Sequence, residues 1–369
     1  MRVRITLAKK IMKPLRIGIL STAGIAQRNW KAIFHSGNAV VSAVASRDMS
    51  KAAGFVAECQ KSWAFEKTPR AWGSYEALLS DPELDAVYVP LPTALRKNHV
   101  IEAARRGLHV LCEKPCAISR TALDEMTDAC AQNKVQFMDG VMFMHSPRME
   151  RIRAILADPG QLGPLRRIQS SFTFRSVEGF EEKNIRAHGG LEPAGCLGDL
   201  GWYCLRFALW VMDWQLPKRV TARIHAASPD LPGHPSAPLD FSGEMTFGCG
   251  VTFGFYCSFR TMSQQWVHVG GRDGWLRVAD FVHPFNSYNP VLEVNRVEVA
   301  TGAANLCPDG AEPAEQGHPT AQDTLMWRNF AKQIASGRLN EEWPRWATQT
   351  QTVQDACLRS AREGVDICL

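Results

Sequence analysis

Over the first 140 residues, short apolar runs alternate with helix-forming stretches, a pattern that few architectures accommodate. The runs LRIGIL (15–20), AVVSAVAS (39–46), DAVYVPLP (85–92), HVLCE (109–113) and VQFMDGVM (135–142) read as strands. Between them, Gly24–His35, Met49–Lys61, the segment SYEALLSDP, Arg96–Arg106 and Ser119–Gln132 read as helices. Strands that are apolar almost throughout are buried on both faces, which is how parallel strands sit when helices cover the sheet. The pattern predicts an α/β domain with a doubly wound parallel sheet, a frequent frame for nucleotide binding.

From about residue 163 the pattern changes. LRRIQSSFTFRS, KRVTARIHAA, LDFSGEMTF, GVTFGFYCSF, QWVHVGG and GWLRVADF read as strands with no helices between them. FGCGV and GGRDGW read as hairpin turns whose glycines take positive φ. These features predict a second, α+β domain with a large, mostly antiparallel open sheet. Helices at about 320–336 and 345–363 close the chain, and Pro308–Pro319 reads as a loop. The chain has 369 residues, and at about 150 residues per domain it has room for two. The expected division is a disordered tail at 1–13, a nucleotide-binding domain at 14–140 and a substrate and oligomerisation domain at 141–369.

Composition narrows the function. A net charge of +5 with scattered basic residues disfavours nucleic acid as a partner and suits a small anionic ligand. The sequence has no 18-residue apolar stretch and no secretory apolar core, so a soluble, cytoplasmic protein is expected. Its eleven cysteines form no metal-ligand spacing. Cys59, Cys130, Cys204, Cys249, Cys257 and Cys357 fall mostly in apolar runs, where thiols pack as small hydrophobes. No metal site is expected.

Lys114, between Glu113 and Pro115, follows a buried strand where an open α/β sheet presents its ligand. In GDLGWYCLR, Asp199 and Tyr203 stand i, i+4, on one face if the segment is helical. A lysine, a carboxylate and a phenol beside a nucleotide site can manage proton and hydride transfer. The first strand–helix turn, RIGILSTAGIAQ, lacks the full glycine fingerprint of dinucleotide sites, placing Ser21, Ala23 and Ala26 at the three glycine positions, with Gly24 between. Small residues still let a pyrophosphate approach the helix N-terminus, and Ser21 can bond a phosphate. After the second strand, Ser46 takes the place of the acid that would bind an NAD ribose. Arg47 follows it and suits the 2′-phosphate of NADP; alternatively, Arg47 is a solvated loop residue and Asp48 only caps the next helix. Trp202, Trp210, Trp214 and Phe180 either line an apolar or sugar-stacking pocket or pack the core.

The segments LPTAL, EKP, MDG and D-x-G-x-Y, in this order and spacing, resemble the glucose–fructose oxidoreductase, inositol dehydrogenase and MocA family. The likeness covers about 14–365, and the GWY form resembles the dihydrodiol and D-xylose dehydrogenase branch. It implies a Rossmann domain, an open sheet that mediates oligomerisation, and NAD(P)-dependent oxidoreduction of a sugar or diol, here with NADP(H) favoured over NAD(H). By this resemblance Lys114 lies beside the nicotinamide, and Lys114, Asp199 and Tyr203 are catalytic. Ser21, Thr22, Ala23, Gly24, Ile25, Ser46, Arg47, Pro90, Leu91, Thr93, His99, Glu113 and Lys114 are the cofactor surface, and Arg186 joins Lys114, Asp199 and Tyr203 around substrate. Two departures stand out: Arg96 replaces a common histidine, and Met144 replaces an arginine.

The implied chemistry makes Tyr203 a general acid/base, tuned toward tyrosinate by the Lys114 cation. Asp199 orients substrate or fixes the lysine. A homodimer or larger assembly is expected, since an open sheet left bare is an aggregation hazard. Two other readings compete: a regulatory protein that binds NADP(H) without turnover, and a purely structural dimerisation module.

Overall fold

The computed structural model describes residues 13–230, 232–233, 235–284, 291–295, 302–305 and 320–369. The expected N-terminal tail, but for its last residue, and all of the expected 308–319 loop lie outside the described residues. In the first half, the elements run β1 (Leu15–Leu20), α1 (Gly24–Ser36), β2 (Ala39–Ala45), α2 (Met49–Ser62), β3 (Arg70–Trp72), α3 (Tyr75–Leu79), β4 (Ala86–Val89), α4 (Arg96–Arg105), β5 (His109–Cys112), α5 (Arg120–Gln132) and β6 (Phe137–Asp139). The six strands pair in parallel in the order β3-β2-β1-β4-β5-β6. This doubly wound order reverses between β1 and β4, where such sheets bind ligands beyond the strands' carboxyl ends. The short strand β3 was not expected from the sequence; three residues are too few to show a period. Side chains define the helix starts: Asp48 caps α2, Ser74 caps α3 and Ser119 caps α5, each accepting from a first-turn N–H.

Three helices lead on: α6 (Pro147–Ala157), α7 (Pro159–Leu162) and, after the long strand β7 (Leu165–Arg175), α8 (Phe180–Lys183). A π-helical turn at Leu197–Gly201 runs into α9 (Trp202–Val211), every residue of which is buried. The strands β8 (Arg219–Ala227), β9 (Pro238–Thr246), β10 (Thr252–Ser258), β11 (Arg260–Gly271), β12 (Trp275–Val278), β13 (Val291–Asn295), β14 (Gly302–Asn305) and β15 (Ile367–Cys368) complete a nine-stranded sheet. Its order is β14-β13-β12-β11-β7-β10-β9-β8-β15. The sheet is antiparallel except where β10 lies parallel to β7. α9 and the long helix α11 (Glu342–Glu363) pack on it: α11 lies along β8 and α9 against β7. The remaining helix, α10 (Gln322–Ala335), returns to the first half, where Trp327, Phe330 and Ala331 share a core with Ile17, Ile19 and Trp30.

Two sequence expectations change here, and one open alternative is resolved. Gly250 takes positive φ as expected, but Gly270, Gly271 and Gly274 do not. At Gly271 the constraint is closeness, since a Cβ would stand 2.0 Å from the Leu162 carbonyl. Cys249 is exposed, whereas Cys59, Cys130, Cys204, Cys257 and Cys357 are buried. Trp202, Trp210, Trp214 and Phe180 pack the core, with Trp214 stacked on Trp346 at 5.0 Å and Phe180 against Phe174 and Phe259. No helix among the described residues is long and apolar enough to cross a membrane.

Candidate active site

The loop after β5 and the turn before α9 meet at the carboxyl edge of the parallel sheet. Lys114, whose peptide bond to Pro115 is cis, extends its Nζ to 2.7 Å from both Asp199 Oδ1 and the Asp199 carbonyl. The π-helical turn sets the Asp199 carbonyl to receive it. The turn can come this close because residue 198 is glycine: a Cβ there would lie 3.0 Å from Pro115 Cγ. The other Asp199 oxygen takes Arg186 Nε at 2.9 Å. Burial opposes charge on Asp199, but Arg186 and Lys114 outweigh it and bring the carboxyl down to about 2. Asp199 is therefore an anion between two cations. Holding the lysine is one of the two roles expected for it.

Lys114 Nζ lies over the Tyr203 ring, 4.8 Å from its centroid, rather than at the hydroxyl. The hydroxyl donates only a weak bond, 3.6 Å to Met142 Sδ, and the ring packs against Phe143 and Phe172. Burial, reinforced by the Glu113 and Asp199 charges, raises the Tyr203 pKa well above its ordinary value. Burial and the two carboxylates set the direction of this shift, while Lys114 is engaged by Asp199.

Most of the expected cofactor residues follow the ends of β1, β2, β4 and β5, while His99 lies within α4. Ser21 stands at the first glycine position with φ +149°, a conformation that usually requires glycine, and its Oγ accepts from Ala23 N at 3.0 Å. The degraded fingerprint therefore keeps a glycine-like backbone. Ala23 leaves the N-terminus of α1 without a side-chain cap, and Gly24 and Ile25 are exposed there beside the half-buried Thr22. Such unpartnered N–H groups favour an anion. Ser46 is buried at the end of β2 and Arg47 is exposed, while Asp48 caps α2. Pro90 and Leu91 are buried at the end of β4. Thr93 is held by Glu192, its N–H at 2.9 Å and its hydroxyl at 2.5 Å. His99 packs edge-on against Tyr75 at 5.1 Å, a contact between α3 and α4. Glu113 faces inward and accepts from Tyr88 OH at 2.6 Å.

Sequence reasoning missed several contributors. Arg96, noted only as a departure, is buried; it donates to the Leu91 carbonyl at 2.6 Å, the Glu113 carbonyl at 2.7 Å and the Pro115 carbonyl. It thereby binds the β4 and β5 loops together. Asp139 of the MDG segment forms a fully buried pair with Arg206 of α9, tying β6 to the helix that carries Tyr203. His283 and Tyr203 both make edge-type ring contacts with Phe172. Burial, with the charges of Arg28 and Lys114, brings its pKa down to about 4. Among the described residues, no cluster of histidines, cysteines and carboxylates has metal-site geometry.

Comparison with known proteins follows the same lines. The family profile described as an oxidoreductase family with NAD-binding Rossmann fold matches residues 15–141, and that of the GFO/IDH/MocA C-terminal domain matches 149–277. A D-xylose 1-dehydrogenase (NADP(+)) from Haloferax volcanii is 30% identical over 96% of this chain and 99% of its own. A trans-1,2-dihydrobenzene-1,2-diol dehydrogenase from Sus scrofa is 30% identical over 72% of this chain and 74% of its own. The fold matches that of a 3-ketoreductase from Actinomadura kijaniata, solved with NADP and TDP-benzene. The TM-score is 0.79 at 24% identity, over 95% of this chain and 98% of the other. With matching profiles over both halves and a full-length relative at this identity, the chain belongs to the Gfo/Idh/MocA family of NAD(P)-dependent oxidoreductases.

Proposed function

We propose that this protein is an NADP(H)-dependent oxidoreductase exchanging hydride with a secondary alcohol, hemiacetal or ketone of a sugar or diol. The carrying observation is the cluster in which Asp199 holds Lys114 at 2.7 Å over the ring of Tyr203. The names of its relatives, which act on a sugar and on a diol, support the substrate class. The uncapped start of α1 and the glycine-like backbone at Ser21 fit a dinucleotide pyrophosphate, and the exposed Arg47 fits a 2′-phosphate. In this reading Ser21–Ile25, Ser46, Arg47, Pro90, Leu91, Thr93 and Glu113 hold the dinucleotide, and Arg186 borders the substrate. His99 is assigned to the cofactor side. A nicotinamide bound there supplies or accepts the hydride.

The protein's own residues manage the charge and the proton. As a substrate carbonyl is reduced, negative charge grows on its oxygen. The Lys114 ammonium, held in place by Asp199, stabilises that oxygen electrostatically. Tyr203, held protonated by its burial, is suited to deliver the proton as a general acid. In the oxidative direction the phenol must first lose its proton to solvent, and the resulting phenolate then takes the proton of the substrate hydroxyl. Arg186 fixes the far side of Asp199 and so sets the lysine's direction.

The same reading assigns 14–140 to dinucleotide binding and 141–369 to substrate binding and self-association, as a homodimer in the cytoplasm. A panel of aldoses, polyols, cyclic diols and ketones, followed by dinucleotide absorbance, tests the function. Turnover with NADP(H) in preference to NAD(H) is expected. NADPH binding without turnover across the panel would favour the regulatory reading, and failure to bind either dinucleotide would favour the structural one.

A further inference from the structure

Four buried side chains form a line of hydrogen-bond donors that ends at the catalytic loop. Trp327 Nε1 donates to Asn29 Oδ1 at 2.6 Å, Asn29 Nδ2 to Tyr88 OH at 2.8 Å, and Tyr88 OH to Glu113 Oε1 at 2.6 Å. The second Glu113 oxygen accepts the backbone N–H of Lys114 at 3.2 Å. An indole can only donate and a carboxylate can only accept, so the amide and hydroxyl between them have one orientation. All four side chains are at most 7 % exposed, and Trp327 and Tyr88 share a core with Ile17, Ile19, Val44 and Leu111. A partner lost there leaves a buried polar group unsatisfied.

Asn29 makes one more bond, from Nδ2 to the Ile25 carbonyl at 3.1 Å, in the first turn of α1. One amide thus touches both the turn assigned to the dinucleotide and the line that leads to Lys114. A staple holding α10 to α1 would need only the Trp327–Asn29 bond. The continuation through Tyr88, across β4 to the β5 loop, serves Glu113. From the other side Arg96 holds the Glu113 carbonyl, so this residue is fixed at both its carboxylate and its backbone.

We propose that Asn29 and Tyr88 are positioning residues that couple the dinucleotide turn to Lys114, by fixing the Glu113 carboxylate and through it the lysine's backbone. The inference rests on Lys114 being the catalytic lysine. Tyr88→Phe keeps the ring edge-on to Trp327, 5.4 Å between centroids, and removes only the oxygen.

The test measures kcat, substrate KM, NADPH Kd and melting temperature of the full chain for Tyr88→Phe and Asn29→Ser, with Lys114→Met in parallel. For Tyr88→Phe, kcat should fall about tenfold or more while KM and Kd stay within about twofold, the mark of lost positioning rather than lost binding. Asn29→Ser should lower kcat similarly and also weaken NADPH, because it frees the Ile25 carbonyl. Folded Tyr88→Phe with kcat within about twofold of wild type overturns the coupling. If Lys114→Met is inactive in that case, the coupling alone fails; if Lys114→Met keeps turnover, the proposed mechanism fails with it. Should neither positioning variant fold, amide exchange on the wild-type chain decides. Saturating NADPH should slow exchange at Glu113–Lys114 and also in α10 around Trp327, and unchanged exchange at both places overturns the proposal.

Discussion

Arg206→Met should be among the most damaging single changes outside the reacting groups. Arg206 and Asp139 are 0 % and 4 % exposed, with guanidinium–carboxylate contacts of 2.5 and 3.2 Å and a third donor, Nε, on Thr350 Oγ1 at 2.7 Å. The guanidinium also lies 5.8 Å from the ring centroids of Trp202 and Trp214. Methionine fills much of the space but leaves the Asp139 carboxylate buried without its counter-charge. Removing one partner of such a pair costs about 3–5 kcal/mol. With an m-value of about 3 kcal/mol/M, the urea midpoint should drop by about 1–1.7 M. The exposed Arg120–Asp124 pair is the control, and Arg120→Ala should cost no more than about 1 kcal/mol. Asp139→Leu combined with Arg206→Met should recover more than half of the loss, because no lone charge remains. Because α9 continues from the turn that holds Asp199, kcat should fall as well. A midpoint for Arg206→Met within about 0.3 M of wild type, under 1 kcal/mol, would refute the reasoning.

Three further outcomes are expected. Arg47→Ala should weaken NADPH by about tenfold or more while leaving NADH nearly unchanged, since one charge-assisted contact to a phosphate is lost; equal weakening of both would remove Arg47 from the 2′-phosphate site. Burial, aided by Arg206 at His145 and by Arg28 and Lys114 at His283, holds both histidines at about 4 against the ordinary value of 6.5. The folded chain then binds fewer protons than the unfolded one, so this stability is complete above 6.5 and is lost as pH falls toward about 4. Urea midpoints should therefore be lower at pH 5 than at pH 7.5, and an equal or higher midpoint at pH 5 contradicts the assignment. Sedimentation at micromolar concentration should show a homodimer or larger, and a monomer would count against self-association through the open sheet.

The fold was legible where residue chemistry repeats along the chain. Parallel strands buried on both faces, such as Ile17–Leu20 and Ala86–Val89, leave apolar runs that no loop would carry. The site was legible in part, because Lys114, Asp199 and Tyr203 sit in local patterns that a sheet end and a helix bring together. Arg96 was not, because an arginine in the first turn of a helix ordinarily points to water, and only the close approach of three carbonyls explains its burial. Nor was the pairing of Asn29 with Trp327, 298 positions apart, since no local period reports a contact at that range. The surroundings of Tyr203 also escaped sequence reasoning. That Asp199 engages the lysine beside it, and that burial is the largest influence on the phenol, is seen only in the folded chain. Likewise the glycine fingerprint was read by residue type, whereas the turn keeps its backbone shape through a serine at φ +149°.

The central claim is that Tyr203 handles the proton while Lys114 supports the reacting oxygen, and Tyr203→Phe tests it most directly. That change removes one oxygen from a ring packed between Phe143 and Phe172, so the fold and the dinucleotide site should persist. The measurement is kcat on whichever sugar, diol or ketone the wild-type enzyme turns over, with NADPH binding followed on the same sample. The account predicts a loss of about 10²–10⁴-fold in kcat, the usual weight of general acid–base catalysis, with NADPH binding unchanged. Full turnover in Tyr203→Phe would contradict it.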